Sequence, residues 1–172
     1  TEMVAHELGS SVRLAIGAVV LSFFLGPPLG IVAGLRPGAL LDRLLLTLSV
    51  ATRAIPHFVL GVILVLIFAV SMALLPSAGH GTFAHTILPT VTLALGLAAV
   101  TARVARDATV AVSSSTYYAF GRLKGLSPVT VFMRHGLRNI GVPVVTYLGV
   151  QLVYLIEGVV VVETLFAWPG IG

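Results

Sequence analysis

Four apolar runs constrain this chain more than any other feature: Leu14 to Leu35, Leu44 to Leu75, Thr86 to Val100 and Ile140 to Phe166. A helix needs about 20 consecutive apolar residues to cross roughly 30 Å of hydrocarbon. Within lipid the backbone must satisfy its own hydrogen bonds, which leaves the helix as the natural solution for such runs. The composition agrees, with 58% hydrophobic and only 9% charged residues, against about 25% charged in an average soluble domain. A soluble fold of this size still shows water about 30% of its unfolded chain's surface. So apolar a chain has nowhere to hide it. The pattern predicts an all-α, polytopic transmembrane protein forming a single domain over residues 1–172.

The breakers within the runs refine the expected spans to about 14–35, 44–75, 86–106 and 140–166. Gly26-Pro27-Pro28 removes two backbone donors and predicts a kink or local unwinding. Arg36-Pro37-Gly38 reads as a turn. The second run is too long for one crossing, and Arg53-Ala54-Ile55-Pro56-His57 predicts a broken helix there. The third span begins near Pro89 and runs on into Arg103 and Arg106. Eight of the ten cations fall in two places, Arg36 with Arg43, and Arg103, Arg106, Arg122, Lys124, Arg134 and Arg138. Pro76 to His85 holds no Lys or Arg. This alternation is the positive-inside pattern. It sets the basic loops inside and argues against a nucleic-acid partner, despite the net charge of +4.

A basic island, Thr116 to Asn139, separates the third and fourth runs. Lys124-Gly125 reads as a helix end, with Gly125 at the left-handed position beyond it. Ser127-Pro128 reads as a restart, with a serine N-cap and proline at the first helical position. Val129, Phe132, Met133, Leu137 and Ile140 recur at helical spacing on one face, while Arg134 and Arg138 share another. The island is therefore an amphipathic hairpin. By periodicity alone it either rests on lipid headgroups or docks on a partner.

Isolated polar residues in apolar runs are candidate functional groups. Gln151, Tyr154 and Glu157 follow one another at three-residue spacing and read either as a stripe lining a translocation path or as interhelical contacts. Glu163 reads as a structural hydrogen-bonding group near the outer end, and Arg53 as a cation reaching toward the inner face. His57, His80 and His85 lie on separate segments without ligand spacing, and the absence of cysteine removes thiolate metal sites and disulfides. No metal site is expected. No nucleophile–base pair or carboxylate dyad is present, and without G-x-x-x-x-G-K-[ST] the chain has no P-loop for ATP.

The island resembles the cytoplasmic coupling segment, or EAA loop, of ABC importer permeases, and most closely the dipeptide, oligopeptide and nickel type. The resemblance lies in Gly121-Arg122-Leu123-Lys124-Gly125-Leu126-Ser127 and Arg134-His135-Gly136-Leu137-Arg138-Asn139. It extends to Gly26-Pro27-Pro28-Leu29-Gly30, to Ala54-Ile55-Pro56-His57-Phe58, and to Val160 through Phe166 followed by Trp168-Pro169-Gly170-Ile171-Gly172. Two departures stand out. Ala119-Phe120-Gly121 occupies the place of E-A-A, and Arg138 stands where many members carry proline.

The resemblance implies a type I importer permease with four spans in this chain and a cytoplasmic hairpin at 116–139. It further implies a bacterial inner-membrane location and a path for peptides or related small solutes. A second, probably different, permease chain, two ATPase subunits that bind ATP and magnesium, and an external solute-binding protein would be its partners, with no cofactor on this chain. Arg122, Leu123, Lys124, Gly125, Leu126, Ser127, Arg134, His135 and Arg138 would form the ATPase contact. The alternative is a stand-alone secondary transporter or channel whose hairpin rests on lipid, with Glu157 and Arg53 carrying ion coupling. The pattern also leads us to expect further family sequence before Thr1 and after Gly172. No signal peptide is visible, because the first run is long and lacks a small-residue cleavage site.

Overall fold

The structure, a computed structural model, describes residues 2–170, with only the backbone for residues 2–6, 156 and 157. Its regular elements are all helical, with no strand among the described residues. They are α1 (Glu2–Gly34), α2 (Leu40–Ala54), α3 (His57–Leu64) continuing into a π-turn (Val65–Ser71), α4 (Phe83–Ser113), α5 (Thr116–Leu123), α6 (Pro128–Val131) continuing into a second π-turn (Phe132–Gly136), and α7 (Leu137–Phe166). Helices α1 and α4 are each long and apolar enough to cross a membrane. Two further spans exist if each sharply bent pair counts as one: α2 with α3, and the stretch from Pro128 to Phe166. Expected four spans thus become two unbroken and two bent.

The chain divides into two compact units, each described separately. The first comprises Thr1–Ser22, Ala51–Leu97 and Gln151–Gly172, and the second Phe23–Val50 and Ala98–Val150.

The first unit packs around Leu64, Leu88, Leu93, Leu155, Val162 and Phe166, all buried. The expected break falls where Pro56, which has no backbone donor, separates α2 from α3. At the C-terminal end of α7 the Glu163 carboxylate is buried and accepts a hydrogen bond from Ser11 Oγ of α1. The chain then turns back, with Trp168 N–H donating to the Glu163 carbonyl at 2.9 Å. Gly170 lies so close against the carboxylate that no Cβ could fit there. An isolated carboxylate in this apolar setting would be costly, and the Ser11 hydroxyl supplies part of its compensation.

In the second unit the expected kink in α1 gives way to an unbroken helix through Pro27 and Pro28. The reason is the support α4 gives it. A Cβ at Gly26 would stand 2.8 Å from the Ala98 carbonyl oxygen, one at Gly34 would stand 2.7 Å from that of Arg106, and Gly30 leaves no room for a Cβ against Ala102. The three glycines form a small-xxx-small stripe that brings two parallel backbones into contact, the packing that substitutes for a hydrophobic driving force in lipid. The Arg36-Pro37-Gly38 turn forms as expected, with Gly38 at φ +80°.

Candidate functional site

The hairpin belongs wholly to the second unit, and its corner is built by local chemistry. Helix α5 ends in a Schellman arrangement: Gly125 N–H donates to the Arg122 carbonyl at 3.0 Å and Leu126 N–H to that of Gly121 at 3.4 Å. Gly125 has φ +80°, a conformation that a side chain resists. Two residues on, Ser127 Oγ accepts from Thr130 N–H at 3.1 Å, with Pro128 at the first helical position. The corner therefore forms as the sequence predicts, stop and restart alike.

The two arms pack against each other, with Val131 at the seam. Val131 is fully buried, and a Cβ at Gly121 would lie 3.2 Å from both its methyl groups. Around that seam the packing departs from the expected face. Val129 and Met133 are exposed, while Val131, Gly136 and Ile140 are buried, with Phe132 and Leu137 half-buried. Val129 and Val131 precede the π-turn at Phe132–Gly136 and owe their places to the packing of α6 on α5, while the turn shifts the residues after it. Its i→i+5 bonding inserts one residue, which rotates later side chains by roughly 100° relative to an α-helix.

All nine residues expected to make the docking contact, Arg122 to Ser127 with Arg134, His135 and Arg138, are exposed. Leu123 is 84% exposed, far more than a folded monomer needs at a helix end. Tyr117, Phe120, Val129 and Met133 join it as exposed apolar groups that sequence reasoning did not assign to the surface. Their signal was present in the spacing, but an α-helical period sends Val129 and Met133 inward. Lys124 Nζ stands 4.7 Å from the Phe120 ring centre, a cation–π contact that fixes the cation beside the apolar patch. The surface thus offers hydrophobic knobs with cations between them.

A second polar feature of this unit escaped sequence reasoning. Asp42, at the start of α2, is buried and receives Arg106 in a two-pronged pair, Nε to Oδ1 at 2.7 Å and Nη2 to Oδ2 at 2.9 Å. Gly38 N–H donates to the same carboxylate at 2.8 Å. Arg106 also reaches Asp107 at 3.0 Å. The group ties the 36–39 turn and α2 to α4. Asp42 was legible only as a lone acid within a cationic loop.

The remaining expected sites scatter. Gln151 is buried in the first unit and donates to the Leu97 carbonyl of α4 at 3.2 Å, whereas Tyr154 is 67% exposed. The packing of α7 on α4 turns Gln151 inward. The Glu157 side chain lies outside the described residues. Arg53 is exposed at the end of α2. His57 sets its imidazole against Gly96, His80 is exposed, and His85 Nδ1 bonds Thr82 Oγ1 at 2.7 Å.

This geometry can be compared with known proteins. The family model for binding-protein-dependent transport system inner membrane components matches residues 26–172. The chain belongs to this family. It is 39% identical over 173 residues to the glutathione transport system permease protein GsiC of Escherichia coli strain K12, covering 98% of this chain and 56% of the relative. It is 36% identical over 179 residues to the probable peptide ABC transporter permease protein y4tP of Sinorhizobium fredii, covering 99% and 57%. The chain therefore spans about half the length of the curated relatives it matches. Family membership and the apolar helices mark it as membrane-embedded sequence of an inner membrane transport component.

Proposed function

We propose that this chain is permease sequence of an ATP-driven importer for peptides or related small solutes, glutathione among them, in a bacterial inner membrane. The observation that carries this reading is the hairpin: a rigid corner presenting Leu123 and Leu126 among Arg122, Lys124, Arg134 and Arg138, all exposed. An apolar knob on a stiff corner suits a cleft, and surrounding cations orient the encounter. In this reading the hairpin seats on an ATPase subunit, and closure of the ATPases pushes it. The Gly121–Val131 contact and the Schellman bonds transmit that displacement into α4 and α7, since packed elements switch rather than deform. ATP and magnesium belong to the ATPases, a second permease chain completes the path, and an external binding protein delivers the solute. Two relatives carry glutathione and peptide in their names, which supports the solute class.

The test is uncoupling. Gly125→Pro forbids the positive φ at the corner, and Leu126→Asp places a charge in the apolar contact. Both variants are expected to insert normally yet lose solute-stimulated ATP hydrolysis in vesicles reconstituted with the partner chains. Wild-type stimulation in both would sink the proposal.

A further inference from the structure

The first unit contains a cavity of about 530 Å³ that the hairpin does not touch. It follows one face of α1 from Ser10 to Leu21 and the opening turns of α4 from Phe83 to Val91, with Trp168 in its wall. Eleven residue steps of helix give it a length of about 16 Å along α1. Its one charged group, Arg13, lies near one end, and Thr86 and Thr90 also line it. Trp168 is tied by its backbone to Glu163, and Glu163 accepts from Ser11, so the indole stands at the Ser10–Arg13 end. Leu14, Leu21, Ile87 and Val91 line the rest.

We propose that this groove holds a phospholipid, with Arg13 on the phosphate and an acyl chain running toward Leu21. Two observations converge on that occupant. Arg13 is exposed and has no ion-pair partner among the described residues, and a guanidinium fork matches two phosphate oxygens. Trp168 lines the same groove, and tryptophan is the residue that favours the headgroup level of a bilayer.

The apolar length of the groove decides between classes of anion. A peptide carries backbone donors and acceptors along its whole length, and the stretch from Leu14 to Leu21 offers them few partners beyond the Thr86 and Thr90 hydroxyls. A hydrocarbon chain carries none. Charge at one end and hydrocarbon along the rest is the pattern of a lipid.

Native mass spectrometry of the full assembly, with dioleoyl phosphatidylglycerol added, tests this. Wild type is expected to retain the lipid, Arg13→Gln to retain about tenfold less, and Arg13→Lys, a point charge without the fork, to fall between. Leu21→Trp, which fills the apolar end, is expected to weaken retention of dioleoyl lipid while sparing a dioctanoyl lipid. Arg36→Gln, an exposed cation on the 36–39 turn, should change nothing. Wild-type retention by Arg13→Gln overturns the proposal, as does an equal loss in Arg36→Gln, which would mean charge alone is at work. Displacement by inorganic phosphate, or by a dipeptide, at the lipid's own concentration also overturns it by naming a free anion or the solute as occupant. The groove and the hairpin share no residue, so either reading can fail without the other.

Discussion

Two sets of charges in the second unit have opposite fates. Asp42 and Arg106 meet at 2.7 Å with the acid buried, and Gly38 completes the carboxylate's hydrogen bonds. Arg122, Arg134 and Arg138 stand exposed with no ion-pair partner among the described residues. The first set is finished within the chain; its energy goes into holding α2 on α4. The second set is left open beside exposed leucines, a combination that gains nothing for the isolated chain and much for a complex. Charge in an apolar protein is informative mainly through whether it is answered.

The comparison makes graded predictions. The largest effect belongs to the answered pair. Asp42→Ala leaves Arg106 with only Asp107 and should lower stability more than any change named below, because it breaks the two-pronged pair that holds α2 on α4. Thermal unfolding in detergent measures this. A double variant with Arg106→Met should recover part of the loss, and simple additivity of the two single effects would mean the pair carries no coupling.

Next comes the corner that holds the open cations in place. Ser127→Ala removes the N-cap acceptor and should cost about 1 kcal/mol. Hydrogen exchange across residues 126–131 should rise, while α4 stays protected; uniform loss of protection would show the cap to be part of the global fold. The smallest stability effect falls on the open cations themselves. Arg122→Gln with Arg134→Gln should change stability by less than about 0.5 kcal/mol. The same double variant should slow capture of the ATPase subunit, and that capture should weaken as salt rises. A large stability loss here would erase the distinction between answered and unanswered charge.

Much of this was legible in the sequence, and the reasons are local. Gly125, Ser127-Pro128, the Arg36-Pro37-Gly38 turn and the Pro56 break each follow from what a single residue does to its own backbone. What escaped was non-local. The Asp42–Arg106 pair joins residues 64 apart. Pro27 and Pro28 were read as a kink because nothing in α1 announces that α4 backs its glycines. The π-turn was the subtlest miss, since it shifts the side chains that follow it, while the packing of α6 on α5 buries Val131 and leaves Val129 exposed. Gln151 is buried and Tyr154 exposed for a related reason: spacing gives neighbours along a helix, and the packing partner decides which of them is buried. Of the docking surface, the exposed residues from Arg122 to Ser127 and the cations beyond were readable, but Tyr117, Phe120, Val129 and Met133, four of its six exposed apolar groups, were not.

The glycine stripe carries a consequence for how the protein is made. Gly30 rests on Ala102, which the ribosome adds 72 residues later. At 5–20 residues per second that interval is roughly 4–14 s. Throughout it, α1 sits in the membrane with two prolines, a bare glycine face and no α4 to cover either. Its backbone is weakest where its support is latest, so the nascent helix is most vulnerable to misrouting or proteolysis in the seconds before α4 arrives.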